Sequence, residues 1–322
     1  MVITKPCMAV LLEVISISLS IFCSNGVMGS SSSPPPPSQF PAMFVFGDSL
    51  VDVGNNNYLD SLAKSNYLPY GIDFDGGPTG RFCNGKTIID FLGELLGLPP
   101  LPAFAATFST AGDILSGVNY ASAAAGILED SGKNLVYFKP AGAEFFEHLE
   151  PVEEADGWQG IEAALHRLGL RKFLLAGVGP LGCIPNQLAT GLAPPGECLT
   201  FVNEMVQVFN MQLKSLVDQL NTNPTDHTVF VYGNTYGAFT QILNNPDSYG
   251  FVATDRGCCG VGKNRGLITC LPIVTPCSNR DEYIFWDAYH PTQAFNKIVA
   301  QKAYAGQPSD CYPINVQQMA EI

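Results

Sequence analysis

Basic residues are scarce in this chain of 322 residues. It carries 16 lysines and arginines against 29 aspartates and glutamates, which gives a formal net charge of −13. Nucleic acid and anionic membrane surfaces both require a basic patch on a binding protein, so this balance argues against either as a partner. Charged residues make up only 14% of the chain and hydrophobic residues 46%, which excludes a disordered polymer and is typical of a globular protein with a substantial core.

Long apolar runs are absent after the amino-terminal region, so no later segment is predicted to span a membrane. Residues 1–29 have the pattern of a secretory signal peptide, with Lys5 before an apolar stretch from Met8 to Cys23 and small residues after it. Glu13 interrupts this stretch and disfavours the alternative, a transmembrane anchor. We therefore expect a secreted, extracellular protein.

The composition after the signal predicts two further segments. Residues 30–40 are rich in serine and proline, cannot pack a core and indicate an extended linker. Residues 41–322 show no internal repeat and have a length that suits one domain.

Eight cysteines follow the predicted signal, and an even number in a secreted chain suggests disulfide bonds. The spacing leaves their pairing open. Cys258 and Cys259 are adjacent and have no histidine close by, so they lack the usual spacing of zinc ligands, and we expect no metal. The eight residues are Cys83, Cys183, Cys198, Cys258, Cys259, Cys270, Cys277 and Cys311.

Strand-like and helix-like patterns alternate along the chain. Apolar runs predict strands at Met43–Phe46, Val118–Ala121, Lys172–Ala176 and Thr228–Tyr232. Helical periodicity marks residues 88–96, 161–168 and 199–220. This alternation predicts an α/β fold with a parallel sheet covered on both faces, and with the chemistry at the carboxyl ends of the strands.

Two short motifs near opposite ends of the chain carry the candidate chemistry. Ser49 follows the first predicted strand, and Asp287 and His290 form an Asp-x-x-His pair close to the carboxyl terminus. Together they supply the nucleophile, the base and the orienting carboxylate of an acyl-transfer hydrolase. Spacing alone leaves another reading open, in which Gly47-Asp48-Ser49 is a polar turn and the pair caps a helix.

Two other patterns are weaker candidates. Residues 177–182 match the Gly-x-Gly-x-x-Gly pattern of dinucleotide sites, but Pro180 removes a backbone donor where the phosphate should bind, so a glycine-rich turn is favoured and no cofactor is expected. His148 lies among several glutamates that could bind a divalent cation, although exposed charge is the better interpretation.

Four ordered segments of the chain resemble the plant-type GDSL esterase/lipases of the SGNH hydrolase superfamily. The resemblance covers about residues 42–133 and 160–305, and it implies a three-layer flavodoxin-like fold. The segments are Phe-Val-Phe-Gly-Asp-Ser-Leu-Val-Asp-Val-Gly-Asn-Asn-Asn (44–57), Asn-Tyr-Ala-Ser-Ala-Ala-Ala-Gly-Ile-Leu (119–128), Gly-Val-Gly-Pro-Leu-Gly-Cys-Ile-Pro (177–185) and Asp-Ala-Tyr-His-Pro (287–291).

The resemblance implies an oxyanion hole formed by the backbone amides of Ser49 and Gly126, with the register of the glycine open by a residue or two. The third donor of the superfamily, an asparagine in a Gly-x-Asn-Asp segment after a central strand, has no counterpart here. Only 45 residues separate Gly126 from Lys172, which is shorter than in relatives. We expect the sheet to lack or replace one central strand. Residues 134–138 are a possible replacement, but Asn134 would then lie at its wrong end.

The sequence therefore predicts a secreted serine esterase or lipase that hydrolyses carboxylic esters of a small molecule, lipid or polymer through Ser49, His290 and Asp287. Loss of the asparagine donor would impair it. The alternative is a catalytically silent relative that binds an acyl or glycan ligand.

Overall fold

The computed structural model of the protein describes residues 19–23, 39–107, 115–126, 165–222 and 227–322. Within these ranges the main sheet has six strands in the order β3-β2-β1-β4-β5-β8, and β6 and β7 form a small separate sheet. The strands are β1 (Leu19–Cys23), β2 (Ala42–Phe46), β3 (Gly117–Asn119), β4 (Leu170–Ala176), β5 (Val229–Gly233), β6 (Ala253–Gly257), β7 (Tyr283–Phe285) and β8 (Cys311–Tyr312).

Seven α-helices lie entirely within the described ranges. They are α1 (Ile88–Leu95), α2 (Phe104–Thr107), α3 (Pro185–Ala189), α4 (Thr200–Thr222), α5 (Thr235–Asn244), α6 (Gln293–Ala305) and α7 (Val316–Ala320). The four predicted strands correspond to β2, β3, β4 and β5, and α1 and α4 lie where periodicity predicts them. Of the helix predicted at 161–168, the structure describes residues 165–168, and 165–167 are helical.

Alternating side chains of the central strands build a core on each face of the sheet, because successive residues of a strand point to opposite sides. Leu174 of β4 and Val231 of β5 join the cluster that includes Leu92 of α1 and Met319 of α7. On the other face Phe173 of β4 packs with other apolar residues against α4, among them Leu175, Phe230, Leu213 and Val217. The predicted α/β fold with a sheet covered on both faces is confirmed. The pairs β2–β3 and β4–β5 are parallel.

The centre of the main sheet contains a strand that the sequence did not predict there. β1 lies between β2 and β4 and is antiparallel to both, with Leu19 opposite Phe46 and Cys23 opposite Ala42. The expected gap is therefore filled by a segment from inside the predicted signal peptide. Residues 134–138, the other candidate for this position, lie outside the described residues.

Three disulfide bonds join six of the eight cysteines, which confirms that the chain is disulfide-bonded. They are Cys183–Cys198, Cys258–Cys277 and Cys259–Cys270. Cys83 and Cys311 are buried as free thiols. Among the described residues, no helix is both long enough and apolar enough to cross a membrane.

Candidate active site

Ser49 lies in a tight turn immediately after β2. The carboxylate of Asp48 accepts a hydrogen bond from the Leu50 amide at 2.9 Å, and the Asp48 carbonyl accepts from the amides of Val51 and Asp52. These bonds reverse the chain directly after the strand. The turn therefore presents the Ser49 hydroxyl at the carboxyl edge of β2, where catalytic groups of α/β proteins are usually found.

Asp287 and His290 lie on a turn between β7 and α6. Asp287 Oδ1 accepts hydrogen bonds from the amides of Tyr289 and His290, each at 2.8 Å, and the Trp286 amide donates to the His290 carbonyl at 2.7 Å. The side chain of Thr292 then caps α6. The chain between the carboxylate and the imidazole is thus fixed by its own backbone.

The structure brings the three predicted residues into one hydrogen-bonded row. His290 Nε2 lies 2.7 Å from Ser49 Oγ, across 241 positions of sequence. His290 Nδ1 lies 2.8 and 2.9 Å from the two carboxylate oxygens of Asp287. A proton on Nδ1 facing the carboxylate leaves the Nε2 lone pair directed at the serine hydroxyl, which is the arrangement that a general base requires.

Asp287 is fully buried and accepts hydrogen bonds from several donors besides the imidazole. Its Oδ2 accepts from the Tyr70 hydroxyl at 2.5 Å and from Thr269 Oγ1 at 2.9 Å. Burial alone would raise the pKa of Asp287, but the proximity of His290 and the hydrogen bonds from His290 and Tyr70 outweigh it and hold the pKa below its ordinary value. The carboxylate is therefore ionised and available to orient His290.

Sequence reasoning missed both Tyr70 and Thr269. Tyr70 is buried and comes from a loop 217 positions before Asp287, and Thr269 lies next to Cys270 in the loop closed by the Cys259–Cys270 disulfide. Neither residue belongs to a sequence motif that predicts a hydrogen bond to a distant carboxylate. Phe82, also unassigned before, packs against the imidazole of His290 with ring centroids 5.1 Å apart.

A buried polar network joins the Ser49 turn to the segment that contains Gly126. Asp52 Oδ1 accepts from the amides of Gly54 and Asn55 at 2.7 Å, and its Oδ2 accepts from the Ala123 amide at 3.1 Å. Asn56 Oδ1 accepts from the same Ala123 amide at 2.9 Å. Burial raises the pKa of Asp52 to about 6 against the opposing effect of these backbone donors.

Among the described residues, the structure gives no hydrogen-bond partner for the amides of Ser49 and Gly126. A left-handed backbone conformation, which favours glycine, occurs at Ala124 with φ of 68°, two residues before Gly126. The sequence leaves the position of the oxyanion glycine open by a residue or two, and Ala124 lies within that range.

β1 changes what lies at the place where the superfamily has its third oxyanion donor. In a parallel central strand, the residue after the carboxyl end would face Ser49. Because β1 runs in the opposite direction, its amino end at Leu19 lies at that edge, and Cys23 lies at the other edge beside Ala42. β1 therefore does not carry an asparagine into the oxyanion site in the way that a Gly-x-Asn-Asp strand would.

The other candidate sites have different outcomes. The glycine-rich segment forms a turn in which the amide of Val178 donates to Asn210 and that of Gly182 donates to Asn203, each at 2.8 Å. These donors are already used, which agrees with the interpretation as a structural turn. His148 and its glutamates lie outside the described residues. Within the described ranges, no group of three His, Cys, Asp or Glu side chains is arranged to hold a metal ion.

The sheet and the Ser-His-Asp row together have the layout of an α/β serine hydrolase. A model of the GDSL-like lipase/acylhydrolase family matches residues 43–159 and 153–303. Three GDSL esterase/lipases of Arabidopsis thaliana are similar to the chain. One is 50% identical with 91% of each chain covered, one is 47% identical with 87% of this chain and 88% of the relative covered, and one is 42% identical with 90% of each covered. The chain belongs to the GDSL lipase/acylhydrolase family, whose members are carboxylic ester hydrolases.

The comparisons also bear on the missing segment. The alignment with the 50% identical relative extends over 350 positions, more than the 322 residues of this chain, so that relative has residues with no counterpart here. The family itself is confirmed as predicted. The expected extent of the resemblance was too narrow, however, because the family match includes residues 134–159.

Proposed function

We propose that the protein is a serine esterase in which Ser49, His290 and Asp287 act as a catalytic triad. The observation that carries this proposal is the 2.7 Å separation between His290 Nε2 and Ser49 Oγ, together with the 2.8 Å separation between His290 Nδ1 and Asp287. A nucleophile, its base and an orienting carboxylate within hydrogen-bond distance are what acyl transfer needs.

In this mechanism Ser49 Oγ attacks the ester carbonyl while its proton passes to His290 Nε2. Asp287 stabilises the imidazolium that forms, and Tyr70 and Thr269 keep the carboxylate in place. The imidazolium then donates its proton to the leaving alcohol, which leaves an acyl group on Ser49. Water, deprotonated by His290, releases the acid and restores the serine.

The amides of Ser49 and Gly126 are proposed to hold the developing oxyanion. The network around Asp52 and Asn56 supports this role, since it ties the two segments together without using either amide. No asparagine is assigned as third donor. Losing one oxyanion donor typically lowers turnover by about 10²- to 10³-fold, so we expect an enzyme slower than its complete relatives.

We further propose that residues 1–29 direct the chain into the secretory pathway, that residues 30–40 are a linker and that residues 41–322 form the hydrolase domain, to whose main sheet Leu19–Cys23 adds β1 as long as the signal remains attached. Three disulfide bonds support an oxidising compartment. The proposed partners are ester substrates, and the acidic net charge disfavours nucleic acid.

An alkyl fluorophosphonate tests the triad directly, because it labels only activated serines. Purified protein should be labelled and should hydrolyse p-nitrophenyl acetate, and both signals should disappear in Ser49→Ala. Folded protein that resists the reagent and shows no turnover above the Ser49→Ala control would refute the esterase. The remaining reading would then be a silent relative that binds an acyl or glycan ligand.

A further inference from the structure

The loop closed by the Cys259–Cys270 disulfide bond is attached to the surroundings of Asp287 at both of its ends. At one end, the amide of Cys259 donates to the carbonyl of Trp286, the residue before Asp287, at 2.6 Å. At the other end, Thr269, the residue before Cys270, donates to Asp287 Oδ2 at 2.9 Å. This bond, the loop disulfide, therefore connects an anchor on the backbone beside Asp287 with a donor to its carboxylate.

The carboxylate oxygen that accepts from Thr269 also serves His290. Asp287 Oδ2 lies 2.9 Å from His290 Nδ1 and accepts from the Tyr70 hydroxyl at 2.5 Å. The same hydroxyl lies 3.0 Å from Thr269 Oγ1. Because Asp287 is fully buried, water is not at hand to replace a donor that is lost, and the carboxylate would turn towards its remaining partners. The direction in which His290 is held thus depends on Thr269 as well as on Tyr70.

Thr269 stands between an exposed residue and a buried one. Ile268 before it is 49% exposed and accepts through its carbonyl from the amide of Val261 in the same loop, at 3.0 Å. Cys270 after it is fully buried and packs in one cluster with its partner Cys259. The backbone of Thr269 is therefore held from the Cys270 side, and the loop disulfide passes the fixed position of Cys259 on to it.

We propose that the loop disulfide is a positioning element of the catalytic site, which holds Thr269 on Asp287 and thereby orients His290. The inference rests on the proposed triad and adds to it a covalent bond that takes no part in the chemistry. A disulfide that only stabilised the fold would change the amount of folded protein. This one should change the kcat of protein that is folded.

The chain offers a matched control in the disulfide that begins one residue earlier. In Cys258–Cys277, the control disulfide, the amide of Cys258 donates to the carbonyl of Phe285 at 2.9 Å. At its other end the amide of Cys277 donates back to the carbonyl of Cys258, at 2.9 Å. The loop and control disulfides span 11 and 19 positions, and stabilisation grows only with the logarithm of that number. Removing either should therefore destabilise the fold by a similar amount.

The first experiment compares kcat and KM for p-nitrophenyl acetate in two double variants, with folding checked by circular dichroism. Cys259→Ser/Cys270→Ser should lower kcat by about 10- to 100-fold, the effect of losing a hydrogen bond to a charged group, and leave KM within about twofold. Cys258→Ser/Cys277→Ser should keep kcat within about threefold of wild type. Equal kcat in the two variants would overturn the proposal.

Full activity without the loop disulfide would overturn it as well. That result is expected if the hydrogen bond from the Tyr67 hydroxyl to the Cys270 carbonyl, at 2.9 Å, holds Thr269 unaided.

A double-mutant cycle shows whether the disulfide acts through Thr269. Thr269→Val should lower kcat as much as removal of the loop disulfide does, whereas Thr269→Ser keeps the hydroxyl and should retain most of the activity. The two losses should not multiply, so removing the loop disulfide from Thr269→Val should lower kcat by less than about threefold further. A product of two full losses would mean that the disulfide acts elsewhere and would contradict the proposal.

A glycine insertion covers the case in which the cysteine variants do not fold, because it keeps all three disulfides. One glycine between Thr269 and Cys270 should move the hydroxyl away from Asp287 and lower kcat about as much as Thr269→Val. The same insertion between Gly262 and Lys263, which are exposed in the same loop, should leave kcat within about threefold of wild type. Unchanged kcat after the first insertion would overturn the proposal.

Proton NMR separates failure of this inference from failure of the esterase, because it needs no turnover. In Ser49→Ala, the resonance of the His290 Nδ1 proton that faces Asp287 should shift when the loop disulfide is removed and stay in place when the control disulfide is removed. Such a shift, in a protein whose wild type shows no turnover above Ser49→Ala, would sink the esterase and keep the positioning role. An unchanged resonance in both variants would overturn the positioning role and leave the esterase standing.

Discussion

Replacing Tyr70 with phenylalanine removes a single hydroxyl that donates to the buried oxygen of Asp287 at 2.5 Å. A hydrogen bond to a charged group contributes about 1.5–3 kcal/mol, so Tyr70→Phe should lower the free energy of unfolding at pH 7 by about that amount. If the same energy is lost in the transition state, kcat falls by about 10- to 100-fold. Urea denaturation and ester hydrolysis measure the two effects.

The pH dependence separates this effect from a general packing defect. The pKa of Asp287 is held below its ordinary value against burial, with the Tyr70 bond among the causes, so its contribution to stability is present at neutral pH and is lost as the pH falls through the folded pKa. The stability difference between wild type and Tyr70→Phe should therefore shrink below about pH 4. Tyr67→Phe is the matched control, because Tyr67 donates to the neutral carbonyl of Cys270 at 2.9 Å. Equal, pH-independent losses in both variants would refute the reasoning.

Two further predictions concern buried charge. Because burial raises the pKa of Asp52 to about 6, its contribution to stability is complete below about pH 4 and is lost as the pH rises through 6. The free energy of unfolding of wild type relative to Asp52→Asn should thus fall by about 3 kcal/mol between pH 4 and pH 7, and a constant difference in urea titrations would contradict the assignment. Arg81→Ala should lower the free energy of unfolding by about 3–5 kcal/mol, because it leaves the buried carboxylate of Asp90 without its ion-pair partner. Arg280→Ala breaks the more exposed ion pair with Asp73 and should lower the free energy of unfolding clearly less in the same denaturation assay.

Local pattern predicted the parts of this fold that depend on neighbouring residues. The alternating side chains of β4 and the periodicity of α4 are encoded within a few turns or pleats of chain, so their positions could be read directly. The turn around Asp287 was equally accessible, because an aspartate three residues before a histidine can bond to the intervening amides. These features depend little on the rest of the molecule.

Long-range contacts could not be predicted in the same way. No rule of spacing joins Ser49 to His290, and their predicted proximity rested on family resemblance. Tyr70 comes from a segment whose sequence gives no sign of a distant carboxylate partner. The cysteine pairing is a further example, since Cys83 and Cys311 count toward an even total yet remain thiols while their six counterparts are joined.

The five residues of β1 lie inside the segment that we propose as a signal peptide, so export and folding would compete for them. A peptidase that cut after residue 29 would remove them, and the sheet would separate into β3–β2 and β4–β5–β8, with two newly exposed backbone edges about 9–10 Å apart, twice the usual strand spacing. A chain that folds first would instead keep Leu19–Cys23 paired inside the main sheet, where a peptidase could not reach them. The order of the two events would then decide whether the main sheet, which carries Ser49 at the end of β2, is continuous or is divided between β2 and β4.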